Sequence, residues 1–254
     1  MKSPFIVAAA ALILLTLPEE HIARAAELNV LSGNGGRAAV KELCTQFERA
    51  SGHKLNVRFE VNAELKRKVI AGETFDVAIG NPPVIEDLIK AGKIAPGTYA
   101  DVGSAGLGVA VRAGTPKPDI GTADAFKRAL LNVKSVAFPG EGASGIYFVK
   151  LTERLGIAEE MKPKFRPMPA SDTVEIVARG EADMVVVIAS RIADVPGVDL
   201  VGPIPAELQT SIGIAAAISS DTKEPDAAKA LIRFLTAPEA APVLRAKGLT
   251  PPPR

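Results

Sequence analysis

The sequence predicts an α/β protein built from two similar lobes, and three observations support this. The chain opens with the order β-α-β-α-β, which is typical of a parallel sheet covered by helices. The segment Glu64 to Gly80 has the pattern of a helix, a turn and a strand, and Thr173 to Ser190 in the second half has the same pattern. Two apolar segments, Gly106 to Gly114 and Ser211 to Ser219, have the pattern of buried strands. We interpret these two segments as strands that carry the chain from one lobe to the other and back.

The elements of the first unit follow from hydrophobic spacing. Leu28 to Leu31 is a short apolar strand, and Arg37 to Ala50 has apolar residues at helical spacing. Lys54 to Glu60 alternates between polar and apolar residues, which predicts a second strand. A helix over Ala63 to Ala71 and an apolar strand over Phe75 to Ile79 complete the unit.

The repeat and the two crossing strands also predict the lobe limits. Asp76 and Asp183 occupy equivalent places, each leading an apolar strand. Crossings near residues 110 and 213 divide the chain into a first lobe of residues 26–110 and 214–254 and a second lobe of residues 111–213. The first lobe would end with helices over Asp226 to Leu235 and Val243 to Lys247. A ligand is expected in the cleft between the lobes.

The N-terminus has the pattern of an export signal. Lys2 precedes an apolar run from Phe5 to Leu17, and Ala23-Arg24-Ala25 supplies the small-x-small pattern of a cleavage site. The apolar run is too short to span a bilayer. We therefore predict that residues 1–25 are removed and that the mature chain is a soluble protein outside the cytoplasm.

Composition argues against several classes of function. The formal net charge is +1, aromatic residues make up 4% of the 254 residues and Trp is absent, so neither a basic stripe nor a stacking platform for nucleic acid is expected. Cys44 is the only cysteine, which excludes an internal disulfide and a cysteine metal cluster. His53 is the only histidine beyond the export signal, so the mature chain lacks the histidines that a histidine-rich metal site needs, and a histidine-activated serine is not expected. We predict no metal.

The turn after the first strand invites two interpretations. The segment Gly33 to Ala38 fits the dinucleotide pattern Gly-x-Gly-x-x-Gly/Ala, and Glu60 closes the next strand where an acidic ribose ligand is expected. A single glycine pattern is weak, however, and nicotinamide cofactors are not expected in an exported protein. The same turn can bind an anion, because it presents backbone N–H groups at the start of a helix. We therefore predict no cofactor.

Several segments together resemble a known family. They are "LNVLSGNGG", "AGETFDVAIG", "VKSVAFPGEGASGIYF", "ARGEADMVVV" and "AKALIRFLTAPEAAPVLRAKGL", and they extend over almost the whole mature chain. They look like the periplasmic molybdate-binding proteins of ABC transporters, within the type II periplasmic binding proteins. The resemblance implies a monomer with two lobes, a small anion bound in the cleft, and delivery of that anion to an inner-membrane ABC permease.

The resemblance also implies a set of ligand-binding residues. They are Ser32 with the backbone of Gly33 and Asn34, then Asn62, then Ser144 and Gly145 in the loop that begins at Pro139 with Tyr147 nearby, and finally Ser190. Two of these places depart from the family pattern. Asn62 stands where the family has a serine, and Ser190 lies where the family has a tyrosine.

These two departures leave the type of anion open between a tetrahedral oxyanion and a carboxylate. A carboxylate is favoured by the planar fork of an arginine. Arg112 on the crossing strand and Arg37 after the glycine turn are candidate forks. Gln209, just before the return crossing, is a further candidate contact.

An enzymatic alternative has the same fold. Exported relatives of molybdate-binding proteins include aconitate isomerases, which move a double bond by taking and returning a proton. Such a reaction needs an anion clamp and one acid/base group. The candidate groups for proton transfer are Glu207, Glu141, Glu64 and Tyr147. No spacing in the sequence separates a binding protein from an isomerase of this fold.

Overall fold

The computed structural model describes residues 25–193 and 195–252 and contains two five-stranded sheets with helices on their faces. Residues 1–24 of the predicted export signal lie outside the described residues. The strands are β1 (Glu27–Gly33), β2 (Lys54–Glu60), β3 (Val77–Gly80), β4 (Ala100–Ala105), β5 (Leu107–Arg112), β6 (Val136–Pro139), β7 (Phe165–Met168), β8 (Met184–Ile188), β9 (Val198–Pro203) and β10 (Ile212–Ile218). The α-helices are α1 (Arg37–Ser51), α2 (Asn62–Ile70), α3 (Pro82–Lys90), α4 (Ala123–Asn132), α5 (Ala143–Arg154), α6 (Ala158–Met161), α7 (Glu175–Ala178), α8 (Ala189–Ile192), α9 (Pro225–Thr236) and α10 (Ala241–Ala246).

The two sheets have the same topology. The strand order is β2-β1-β3-β10-β4 in the first sheet and β7-β6-β8-β5-β9 in the second. The fourth strand of each order, β10 or β5, is antiparallel to both of its neighbours. The other strands of each sheet run in the opposite direction, and β1, β2 and β3 are paired in parallel, as are β6, β7 and β8. The predicted fold, two lobes with mostly parallel sheets flanked by helices, is confirmed.

The two antiparallel strands are the ones that the sequence predicts to cross between lobes. The chain leaves the first sheet after β4, passes Gly106 and enters β5 in the second sheet. It returns between Pro203 and Ile212 and enters β10 in the first sheet. The lobe limits at 110/111 and 213/214 stay a prediction; the sheets place the whole of β5 in the second lobe and the whole of β10 in the first.

The repeated aspartates have the same structural role in both lobes. Asp76 precedes β3, and its Oδ2 accepts a hydrogen bond from the backbone N–H of Asn29 in β1 at 2.8 Å. Asp183 precedes β8, and its Oδ2 accepts from the backbone N–H groups of Lys134 and Ser135, just before β6, at 2.7 and 3.2 Å. Each aspartate therefore ties the start of its own strand to the start of the neighbouring parallel strand.

Each sheet separates two apolar layers. Helices α1, α9 and α10 cover one face of the first sheet, and α2 and α3 cover the other. Cys44 lies in the first of these layers, and burial raises the pKa of its thiol to about 12, which makes it an inert core residue. Among the residues that the structure describes, no helix is both long and apolar enough to cross a bilayer.

Replacing Asp183 with Ala should lower the free energy of unfolding by about 1–3 kcal/mol, because two backbone N–H groups lose their acceptor. Asp76→Ala should have a similar effect, and urea unfolding measures both. Asp226→Ala is the matched control, since that side chain is 97% exposed and only forms a surface ion pair with Lys229. The control should cost less than about 1 kcal/mol. If Asp183→Ala were as mild as the control, the aspartate would not anchor the strand.

Candidate functional site

A cavity of about 70 Å³, here called the cleft cavity, lies between the two lobes. Its first-lobe wall follows the carboxyl ends of β1, β2 and β3 and includes Asn34, Asn62 and Asn81. Its second-lobe wall follows β6 and β8 and includes Ser144 and Arg191. In open α/β sheets this edge, beyond the carboxyl ends of the parallel strands, is where ligands bind.

Helix N-termini form much of the wall. Helix α2 starts at Asn62 and α5 starts at Ala143, and the residues before them, Val61 and Gly142, also line the cleft cavity. Neither helix has a side-chain cap, whereas the Thr122 hydroxyl caps α4 by accepting from the N–H of Ala125. The first-turn N–H groups of α2 and α5 therefore lack the acceptor that a cap would give them. Together with the helix dipoles they favour an anion in the cavity.

The amide of Asn62 is held in one orientation. Its Nδ2 donates to Oδ1 of Asn81 at 3.0 Å, and its Oδ1 accepts from the backbone N–H of Asn81 at 3.1 Å. A Cβ on Gly33 or Gly80 would lie 2.8 or 2.9 Å from Asn62 Oδ1, so these two strand ends must be free of side chains. An amide nitrogen carries two hydrogens, and the second one on Asn62 stays available as a donor.

The second lobe brings the N-terminus of α5 close to the cavity. A Cβ on Gly145 would lie only 1.8 Å from the carbonyl oxygen of Pro139, so the absence of a side chain lets α5 pack directly on the end of β6. Ser144, the second residue of α5, is 3% exposed and lines the cavity. Its hydroxyl makes no hydrogen bond to the residues that the structure describes, which leaves it available to a ligand.

Arg191 is a cation that the sequence analysis does not single out. It follows the buried strand β8 and lines the cleft cavity, and its side chain is 14% exposed. Its Nη2 donates to Glu175 Oε1 at 2.7 Å and to the Ser171 carbonyl at 3.1 Å, and its Nε donates to the Ala170 carbonyl at 3.3 Å. These bonds fix the guanidinium and leave Nη1 without a hydrogen-bond acceptor among the described residues.

Several predicted contacts lie outside the cleft cavity. Ser32 is fully buried, and its hydroxyl donates to the carbonyl of Gly33 at 3.1 Å. Tyr147 donates to the carbonyl of Leu208 at 2.8 Å. Arg112 is at the end of β5 farthest from the cavity, because Leu107 at the other end pairs with Ile188 of the cavity wall. The geometry thus does not favour a direct ligand contact for Ser32, Tyr147 or Arg112.

Two other predicted residues connect the lobes. The Ser190 hydroxyl donates to the carbonyl of Gly35 at 2.6 Å, from α8 in the second lobe to the turn after β1 in the first. Gln209 holds the two crossing segments together. Its Oε1 accepts from the N–H of Leu107 at 2.7 Å, and its Nε2 donates to the carbonyl of Leu107 at 2.9 Å.

Of the four candidates for proton transfer, Glu141 lines the cleft cavity. Glu207 accepts from the N–H of Ala123 at the start of α4, at 3.1 Å. Glu64 forms an ion pair with Arg67, whose hydrogen bond lowers the pKa of the Glu64 carboxyl and makes it a weaker base.

Arg37, a candidate fork for a carboxylate, is exposed. Its guanidinium lies 4.8 Å from the ring centre of Phe59.

No cluster of three or more His, Cys, Asp or Glu side chains suited to a metal ion occurs in the described part of the chain. Glu60, the acid of the dinucleotide alternative, pairs with Lys68.

A cavity between two lobes that exchange strands, walled by helix N-termini, defines a two-lobed solute-binding protein. The chain belongs to the bacterial extracellular solute-binding protein family, which it matches over residues 28–250.

Comparisons with individual proteins agree with this family. The chain is 32% identical over 253 residues to an aconitate isomerase of a Pseudomonas species, covering 97% of this chain and 96% of that protein. It is 28% identical over 239 residues to the molybdate-binding protein ModA of Azotobacter vinelandii, covering 89% and 90%. The solved structure of the Azotobacter vinelandii periplasmic molybdate-binding protein has a TM-score of 0.76 at 18% identity, with 89% of this chain and 100% of that chain covered, which shows the shared fold. The resemblance stated from the sequence is confirmed.

Replacing Asn62 with Asp should abolish anion binding, because a negative charge would face the space where the anion lies. The variant loses the hydrogen bond from Nδ2 to Asn81 Oδ1, but an acid in the first turn of α2 interacts favourably with the helix dipole, so the unfolding temperature of the free protein should change little. The check is thermal unfolding with molybdate, sulfate or citrate; at least one should stabilise the wild type and none should stabilise the variant. Asn56→Asp, on the exposed face of β2, changes the charge equally and should keep the wild-type response. Equal stabilisation of wild type and Asn62→Asp would place the anion elsewhere.

Proposed function

We propose that the protein captures a small organic anion with carboxylate groups in its cleft cavity and delivers it to an inner-membrane ABC permease. The observation that carries the proposal is the guanidinium of Arg191 at the wall of a cavity whose other walls include the free N-termini of α2 and α5. Helix N-termini accept any small anion. Arg191 adds one fixed donor, Nη1, because its Nη2 and Nε already donate to Glu175, Ser171 and Ala170. This nitrogen can bind one oxygen of a carboxylate. The choice of a carboxylate over a tetrahedral oxyanion rests on the loss of hydroxyl donors described next.

The two departures from the molybdate pattern support the same choice. The serine hydroxyl that the molybdate-binding family has at the start of α2 is replaced here by the amide of Asn62, and Ser190 donates its hydroxyl to the other lobe. Neither residue therefore supplies a hydroxyl to the ligand. The same proposal includes removal of residues 1–25 and transport of the anion through the periplasm by a monomer. The export-signal pattern and the extracellular family support it.

A ligand screen by thermal unfolding tests the proposal. Citrate, cis-aconitate or trans-aconitate should raise the unfolding temperature by about 5–10 °C at 100 times Kd, whereas molybdate, tungstate, sulfate and phosphate should raise it less. The physical reason is that a ligand that binds only the folded state stabilises it. Stabilisation by molybdate and tungstate alone would contradict the carboxylate proposal and favour oxyanion transport.

A second candidate function is isomerisation of aconitate. Two observations favour it: the full-length similarity to an aconitate isomerase, and the position of Glu141 on the cavity wall. The Glu141 carboxylate would take a proton from the methylene carbon of bound aconitate and return it to the other end of the allylic system. The double bond shifts, no atom is gained or lost, and the helix N-termini would stabilise the negative charge that develops on the substrate.

Glu141→Gln separates binding from turnover. If the protein is an isomerase, proton NMR should show interconversion of trans- and cis-aconitate by the wild type, and the variant should be slower by about 100-fold or more. The variant should still be stabilised by aconitate in thermal unfolding. Glu153→Gln, at an exposed position in the last turn of α5, the helix that follows Glu141, is the control and should keep full activity. Wild-type protein that binds aconitate without converting it would contradict the isomerase candidate and leave the transport proposal in place.

A further inference from the structure

A second cavity of about 410 Å³, here called the side cavity, adjoins the cleft cavity. Asn34 and Arg191 line both cavities, so the two share part of their walls. The wall of the side cavity adds Arg37 and Lys41 from α1 in the first lobe. Three cations thus face it, whereas the carboxylate in its wall, Glu175, is already paired with Arg191.

The two cations of α1 are placed where they do not stabilise the helix. Arg37 and Lys41 are four residues apart and lie on one helix face, where like charges repel. They also lie at the start of α1, the end that the helix dipole makes positive, and its first turn contains no acidic residue. Neither forms an ion pair with a carboxylate of the described residues. Arg37 stacks on Phe59 and donates from Nη1 to Asn34 Oδ1 at 3.4 Å, whereas the Lys41 ammonium has no hydrogen-bond or ion-pair partner among the described residues. An anion in the side cavity would offset the charge of both.

We propose that the side cavity binds a second carboxylate of the same ligand, so that the ligand is a di- or tricarboxylate that extends through both cavities. This inference rests on the proposed function. One carboxylate lies at the N-termini of α2 and α5, the second lies at Arg37 and Lys41, and Arg191 stands between the two. Because α1 belongs to the first lobe and Arg191 to the second, such a ligand is held by both lobes. The interlobe hydrogen bond from Ser190 to Gly35 joins a wall residue of the side cavity to a wall residue of the cleft cavity.

A matched pair of ligands tests the inference. Succinate carries two carboxylates, and its monoamide succinamate has the same length with only one. Calorimetric titration at constant ionic strength gives Kd for both, together with citrate, on the wild type and on the double variant Arg37→Gln/Lys41→Gln. The Kd of succinate and citrate should rise about tenfold or more in the double variant, as expected for loss of charge-assisted hydrogen bonds. The Kd of succinamate should change less than about twofold, because its single carboxylate occupies the cleft cavity.

The control variant is Arg49→Gln/Lys54→Gln. It removes the same charge from exposed positions at the other end of α1 and the start of β2. Arg49 lies about 18 Å from Arg37 along the helix axis, which is beyond the screening length at physiological salt. The control should bind all three ligands as the wild type does. The single variant Lys41→Gln provides the same comparison if the double variant is unstable, with a smaller expected rise in Kd for succinate and citrate.

The outcomes distinguish this inference from the proposed function. Wild-type protein that binds none of the carboxylates overturns the proposed function and the inference with it. Carboxylates that bind equally well to wild type and double variant overturn the inference alone. An equal loss of affinity for succinate and succinamate also overturns it, because the α1 cations would then act on any anion rather than on a second carboxylate.

Discussion

The backbone N–H groups in the first turns of α2 and α5 have no side-chain cap, and their need for an acceptor dominates the chemistry of the cleft. Glycines make the arrangement possible. Gly145 lets α5 approach the end of β6, and Gly33 and Gly80 leave room for the amide of Asn62 at the start of α2. Among the helices away from the cleft, α4 starts with a threonine cap, whereas α9 also lacks a side-chain cap. What distinguishes α2 and α5 is that their uncapped N-termini line the cleft cavity, where an anion can accept from them.

The exchange of strands explains how two lobes can share one site. Each lobe builds its sheet around a strand that arrives from the other lobe, so the two sheets are joined by two short segments at one side of the cleft. Gln209 bonds both backbone groups of Leu107 and links these segments. If the lobes close on a ligand, these two segments are where the hinge would lie.

Sequence reasoning predicts the elements with strong hydrophobic spacing, and the structure confirms them to within about two residues. The edge strand β7 is harder to predict, because it is short, partly exposed and contains Pro167. The edge strand β2 is predicted correctly, because its polar and apolar residues alternate. The site is less predictable than the fold. Arg112 in β5 and Tyr147 in α5 belong to elements that reach the cleft, yet their side chains lie away from the cavity. Asn81 and Arg191 line the cavity because the fold brings the ends of β3 and β8 together across the cleft. That meeting is a tertiary property, which no local pattern encodes.

The same electrostatic arrangement suits binding and turnover. N–H groups that stabilise a bound carboxylate also stabilise the charge that moves onto it when a neighbouring carbon loses a proton. A cleft of this type therefore needs only one base of suitable position to become an isomerase, and the fold itself does not change. The difference between a carrier and an enzyme then depends on whether a group such as Glu141 reaches the ligand carbon when the lobes close. This explains why a molybdate-binding protein and an aconitate isomerase can both be relatives of one chain over almost its full length.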